Sequence, residues 1–168
     1  MPEPDRHLSD TIELHLAYLD HYRSVIEDKL TGLSEVELRT SRLPSGWSPL
    51  ELLKHLVFME RRWLRWGFAG EAVDQPWGDS GADPDGRWQV GTDETLTDLL
   101  RLLRAGGVST RALVTGQDPA VLGASGGRFG ADDRPTLNWI LFHVLQEYAR
   151  HAGHLDIVRE LADGATGE

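Results

Sequence analysis

Apolar residues recur at helical spacing in four separate stretches of the chain, and no stretch alternates as a half-buried strand would. The first runs from about Leu8 to Leu30, with Ile12, Leu16, Leu19 and Ile26 on one stripe. Ser34 and Glu37 stand at capping-box spacing and predict a short helical turn next. The second long helix has the clearest start: Ser48 suits the N-cap, Pro49 the first helical position, and Glu51 completes another capping box. It is expected to reach about Gly67. A third pattern begins near Thr92 and continues through ETLTDLLRLLRA, with Gly106 and Gly107 as a weak point. Pro135 opens the fourth, which continues to about Ala162. Between these helices lie two long irregular stretches, from about Phe68 to Gly91 and from about Gly116 to Arg134. Such loops are uncommon in a small bundle unless they cross along it or serve function. The expectation is an all-α chain, with residues 1–168 forming one domain.

Composition narrows the function classes. With 168 residues, 40% of them apolar, the chain is long enough to bury a core without staples. It lacks the roughly 20 uninterrupted apolar residues of a membrane span, and its first residues lack the basic and apolar regions of a signal peptide. A cytoplasmic location is expected. The net charge of −10 argues against a nucleic-acid or anionic-membrane partner. Of the 17 basic residues only Lys29 and Lys54 are lysine, a bias read as the mark of a GC-rich genome. There is no cysteine, so any metal must sit on nitrogen and oxygen, and any thiol chemistry must bring its sulfur from outside.

Each helical residue advances about 100° around the axis. Taking Glu147 as zero places His143 at about −40°, His151 at about +40° and His154 at about −20°. The apolar stripe of Leu137, Ile140, Leu141, Val144, Tyr148 and Leu155 is centred at about +80°, so these four polar residues line one edge of the buried face. On the second helix His55 shares its face with Leu52, Met59, Trp63 and Trp66, whereas Lys54, Glu60 and Arg61 are placed to reach solvent. A carboxylate beside an apolar stripe needs a partner, because burying it unpaired is expensive. Two readings follow. In one, His55, Glu147 and His151 hold a divalent metal in a bundle interior, with a position left open for chemistry. In the other, Glu147 pairs with Arg150 or an arginine of another helix, and the histidines are a polar rim.

The segments PSGWSPLELLKHLVFMERRW and LNWILFHVLQEYARHAGHLDIVRELADGATG resemble the DinB-like family. More narrowly they are similar to its actinobacterial branch, which includes the mycothiol-dependent maleylpyruvate isomerase and the mycothiol S-transferases. The resemblance extends over nearly the whole chain. It implies a four-helix bundle in up-down-down-up order, a divalent metal (zinc or nickel foremost) and, in many relatives, a homodimer. Many members use three histidines, one on the second helix and two at His-x-x-x-His spacing on the fourth. His55 matches the first and His151 the last. The middle position is Glu147, a departure that agrees with the histidine-glutamate-histidine set of the mycothiol isomerase. His154 falls where many relatives have glutamine.

A divalent ion on two imidazoles and a carboxylate is a Lewis acid that converts a bound thiol to the reactive thiolate. The resemblance therefore implies S-transfer, with mycothiol added to an electrophilic small molecule. His154 and His143 are the catalytic candidates, read as supports of a ligand, as proton relay or acid–base groups, or as alternative ligands, and Arg128 is the candidate contact for an acidic cosubstrate. Two alternatives stay open: hydrolysis by activated water with His154 or His143 as general base, and a non-catalytic, metal-stabilised bundle that binds a ligand or dimerises. The first loop carries Trp77 and Trp88 with Glu71, Asp74, Asp79, Asp83 and Asp85. It reads either as a lid over the site or as an acidic crossover anchored by its tryptophans. Trp47 reads as fixing the approach to the second helix, and His7, His15 and His21 as solvated. Residues 123–130 are Gly-rich but lack the lysine and strand of a phosphate loop.

Overall fold

The computed structural model describes residues 3–80 and 86–166, so Asp83 and Asp85 lie outside the described residues. Helix is the dominant regular structure among the described residues, and only isolated bridges such as Ser80 to Trp88 and Leu122 to Thr136 interrupt the loops. Helix α1 spans Thr11–Leu30, starting three residues later than the periodicity suggested because Asp10 caps it by accepting from the Glu13 amide. The short α2, Glu35–Arg39, is closed by the Ser34–Glu37 capping box. Helix α3, Pro49–Arg61, opens on the Ser48–Glu51 box with proline in its first turn. Helix α4 spans Leu96–Val114 and α5 spans Leu137–Asp163, ending on Gly164 in the left-handed conformation.

The second long helix does not stay α-helical to Gly67. From Arg62 to Phe68 it winds as a π-helix, in which each turn carries an extra residue. Gly67 sits where a Cβ would come within 2.9 Å of the Phe129 ring, so the second loop closes directly onto this segment. Helix α4 passes through Gly106 and Gly107 without a break. A Cβ on Gly107 would stand 3.1 Å from the Arg23 guanidinium, so its bareness makes room for a buried charge.

Each long helix packs on two of the others: α1 on α4 and α5, and α3 on α4 and α5. Lys29 pairs with Asp156 while His15 packs edge-on against Phe142, so α1 and α5 run the same way. His55 lies near His151 and Trp63 near His143, so α3 runs opposite to α5. The interior is aliphatic, with Leu16, Leu19, Ile26, Leu53, Leu56, Ile140 and Val144 fully buried.

One polar node crosses that interior. Glu60 on α3 accepts from Arg23 on α1 (2.5 and 3.2 Å), Thr110 on α4 (2.5 Å) and Tyr148 on α5 (2.6 Å). Its carboxylate, on α3, thereby satisfies donors from the other three long helices. The expectation that Glu60 and Lys54 reach solvent is overturned: they are only 2% and 8% exposed. Lys54 instead pairs with Glu94 at the head of α4, at 2.7 Å. His15 is also not solvated; it is 5% exposed, with Nδ1 against the Thr11 carbonyl. No helix among the described residues is long and apolar enough to cross a membrane.

Candidate metal centre

Antiparallel α3 and α5 bring His55, Glu147 and His151 together, each offering a ligand atom within 4.8 Å of the others. Oε2 of Glu147 lies 3.2 Å from Nε2 of His151 and 3.7 Å from Nε2 of His55. His151 is almost wholly buried, as its position nearest the apolar stripe predicts. The hydrogen bond from His151 first, and then the nearby His55 imidazole at 3.7 Å, outweigh burial and hold the Glu147 carboxyl well below the usual carboxylate range. Burial pushes the His151 imidazole the other way, below its ordinary value, and the neighbouring His55 and His154 add to this. An ionised carboxylate beside a neutral imidazole is the protonation state a divalent ion requires of its ligands. Glu147 makes no ion pair with Arg150 or any other arginine among the described residues.

The donor set fits a metal on one further ground. Nε2 of His55 is buried and has no hydrogen-bond partner among the described residues, although buried polar atoms are almost always satisfied. Two imidazole nitrogens and a carboxylate oxygen suit zinc, nickel, iron or manganese. His154 stands outside the triad, with its Nδ1 3.3 Å from Nδ1 of His151. One of those two nitrogens donates and the other accepts.

The first loop supplies what the helices do not. Asp79, fully buried, accepts from Nδ1 of His55 at 3.0 Å and is forked by Arg62 at 2.5 and 3.1 Å. Burial raises its pKa, but the hydrogen bonds from His55 and Arg62 prevail and leave it below the ordinary value. Trp88 stacks face to face on His55, with centroids 4.0 Å apart, and meets His151 edge-on at 5.3 Å. Trp47 lies 5.8 Å from His154, so it borders the site as well as the start of α3.

His143 sits one turn before Glu147, between Trp63 (4.1 Å) and Trp139 (stacked at 5.3 Å). Burial lowers its pKa, and the charge of Arg128 does so further, against the opposing pull of Glu147. Arg128 lies over the Trp63 ring at 4.2 Å, held there by the second loop, whose Arg128 amide donates to the Trp66 carbonyl. Among the described residues Arg128 has no carboxylate partner. Two clefts flank the centre. The larger, about 550 Å³, is lined by Trp63, Phe129, Trp139 and Arg134 among others. The smaller, about 150 Å³, lies between Trp47, Arg87 and Trp88.

The family model of the mycothiol-S-transferases matches residues 14–164. The chain belongs to that family. The match runs from α1 to the end of α5 and so spans every element that builds the centre. No curated protein matches the chain. Membership of the mycothiol-S-transferases agrees with the resemblance of its two motifs and makes thiol transfer the chemistry to test against the geometry.

The structure brings together His55, Glu147 and His151, which sequence reasoning had singled out, and sets against them Asp79 and Arg62, which it had missed. Asp79 was visible only as one of several loop carboxylates. No spacing rule links a residue in an irregular loop to a helix 24 positions earlier.

Proposed function

We propose that the protein is a divalent-metal-dependent thiol S-transferase that joins mycothiol, or a closely similar low-molecular-weight thiol, to an electrophilic small molecule. The observation that carries this reading is the convergence of His55, Glu147 and His151 inside a chain of this family. The metal, zinc or nickel by preference, would be held by Nε2 of His55, a carboxylate oxygen of Glu147 and Nε2 of His151. When bound it supplies Lewis acidity and lowers the pKa of a thiol in its open position. The chain has no sulfur nucleophile of its own to compete, because it contains no cysteine.

The chain's own residues do the rest. In this reading His151 turns its Nε2 to the metal and donates its Nδ1–H to Nδ1 of His154, which leaves His154 with its own proton on Nε2 to give to the reaction. His143, kept neutral by its aromatic surroundings, is positioned to accept or return a proton on the other flank. Arg128, with no carboxylate partner among the described residues, offers its guanidinium to an anionic group of a cosubstrate. The two clefts support a two-substrate reaction, since one borders His154 and His55 through Trp47 and Trp88 and the other borders His143 through Trp63 and Trp139.

The same proposal takes residues 1–168 as one DinB-like four-helix bundle in up-down-down-up order. Its support is the helix directions: α1 with α5, and α3 with α4, where Lys54 meets Glu94 and Glu60 meets Thr110 further along both. A cytoplasmic setting and a homodimer complete it.

Elemental analysis of untagged protein, with His55→Ala as control, tests the centre. About one metal ion per chain, lost in the control, is expected. Metal-loaded protein should then conjugate mycothiol to a reactive electrophile above the uncatalysed rate. Thiol-independent hydrolysis by the loaded protein would replace S-transfer with the hydrolase reading. Absence of metal even after reloading would leave a non-catalytic bundle.

A further inference from the structure

We infer that Asp79 is the positioning residue of the centre: it fixes the tautomer and the ring orientation of His55, so that Nε2 is presented to the metal. The inference rests on the metal reading above and goes beyond it, because Asp79 touches no ligand position itself.

An imidazole has two nitrogens, and only the one without a proton can ligate. The carboxylate of Asp79 can only accept, so at 3.0 Å it draws the proton to Nδ1 of His55 and leaves a lone pair on Nε2. That Nε2 is one of the buried polar atoms with no partner among the described residues, and it faces Glu147. Histidines that bind metals commonly donate their second N–H to a carboxylate, and removing that carboxylate typically weakens metal binding about 10–100-fold.

Asp79 can do this only because it is itself held. Arg62 forks both its oxygens and also donates to the Pro76 carbonyl, while the Gln89 amide donates to the Asp79 carbonyl. Arg62 is the first residue of the π-helical segment, and it is buried to 4% exposure. The unusual winding after Arg61 thus delivers the cation that fixes the carboxylate that fixes the ligand. Trp88, stacked on the same ring, limits its tilt.

Two measurements test this. The first needs no variant: nitrogen NMR of the metal-free wild type should find the His55 proton on Nδ1. A proton on Nε2 would overturn the inference. The second compares zinc affinity by chelator competition. Asp79→Ala should weaken zinc about 10–100-fold while leaving one ion per chain at saturation. Because that variant leaves Arg62 buried and unpaired, Asp79→Ala with Arg62→Met serves as the folding control and should show the same loss. Wild type that binds zinc, with either folded variant binding it equally well, would overturn the inference and leave the metal reading intact. Wild type that takes no zinc would overturn both, and the tautomer measurement would then show whether Asp79 orients His55 for another purpose.

Discussion

The Tyr148 hydroxyl donates to Oε2 of Glu60 at 2.6 Å, and so ties the helix that carries Glu147 and His151 to the helix that carries His55. Tyr148 directly follows Glu147, and a rotation of α5 that moved one would move the other. The rotational setting of the ligand face therefore depends on a hydrogen bond in the core.

Removing that acceptor should be costly. Glu60→Leu leaves the Arg23 guanidinium in the interior with Asp20 as its remaining carboxylate partner. A loss of about 3 kcal/mol is expected, near the lower end of the cost of breaking a buried pair, and urea unfolding measures it. Replacing Arg23 and Glu60 together by methionine should recover most of that loss, because isosteric apolar replacements of buried pairs are often neutral.

Alkaline pH should act through the same node. Burial above all, together with the charge of Glu60 and its hydrogen bond, raises the Tyr148 pKa well above that of a free tyrosine. The folded state thus holds this proton more tightly than the unfolded chain. The stability it contributes is complete below about pH 10 and is lost as pH rises further. Urea midpoints followed from neutral to alkaline pH should fall more steeply for wild type than for Tyr148→Phe. At neutral pH the variant should be the less stable by about 1 kcal/mol, the worth of a hydrogen bond.

Metal occupancy should divide the residues of α5. His151→Ala and Glu147→Ala are each expected to abolish tight zinc binding, since two ligands remain, whereas His154→Ala should keep one ion per chain. Chelator competition and elemental analysis separate these outcomes. Loss of metal in His154→Ala with retention in Glu147→Ala would show that the ligands had been assigned to the wrong residues.

The second loop has no room to spare. A Cβ on Gly127 would lie 2.2 Å from the Trp66 carbonyl oxygen, a backbone atom that cannot swing away. Gly127→Ala is expected to lower stability by about 1–3 kcal/mol and to displace Arg128 from the Trp63 ring, visible as a change in tryptophan fluorescence. Gly130→Ala, where a Cβ meets nothing within 4 Å, is the matched control.

Much of this was legible in the chain itself. Ser34 with Glu37 and Ser48 with Glu51 announce helix starts because a capping box is a local contract between residues three apart. His55, Glu147 and His151 could be placed on inward faces because helical geometry turns spacing into angle. The misreadings have one cause. Glu60, Lys54 and Asp79 were assigned to solvent or loop because charged side chains are almost never fully buried unless paired, and their partners Arg23, Glu94 and Arg62 come from distant parts of the chain. The same distance hid His15, whose cover comes from Phe142 on α5. The π-helical segment was invisible because seven residues are too few for a change of period to register.

The carboxylate of Glu60 also bears on the order in which the chain assembles. Its donors come from three helices separated by up to 125 positions, from Arg23 to Tyr148, and Glu60 itself stands on a fourth. Any half-built pairing of two or three helices would enclose the carboxylate with some of its donors missing, and a partly satisfied polar network is less favourable than an apolar core. Intermediates that bury this region early are therefore penalised. That penalty favours closing the helices on Glu60 together, which brings the ligands on α3 and α5 into register in the same step.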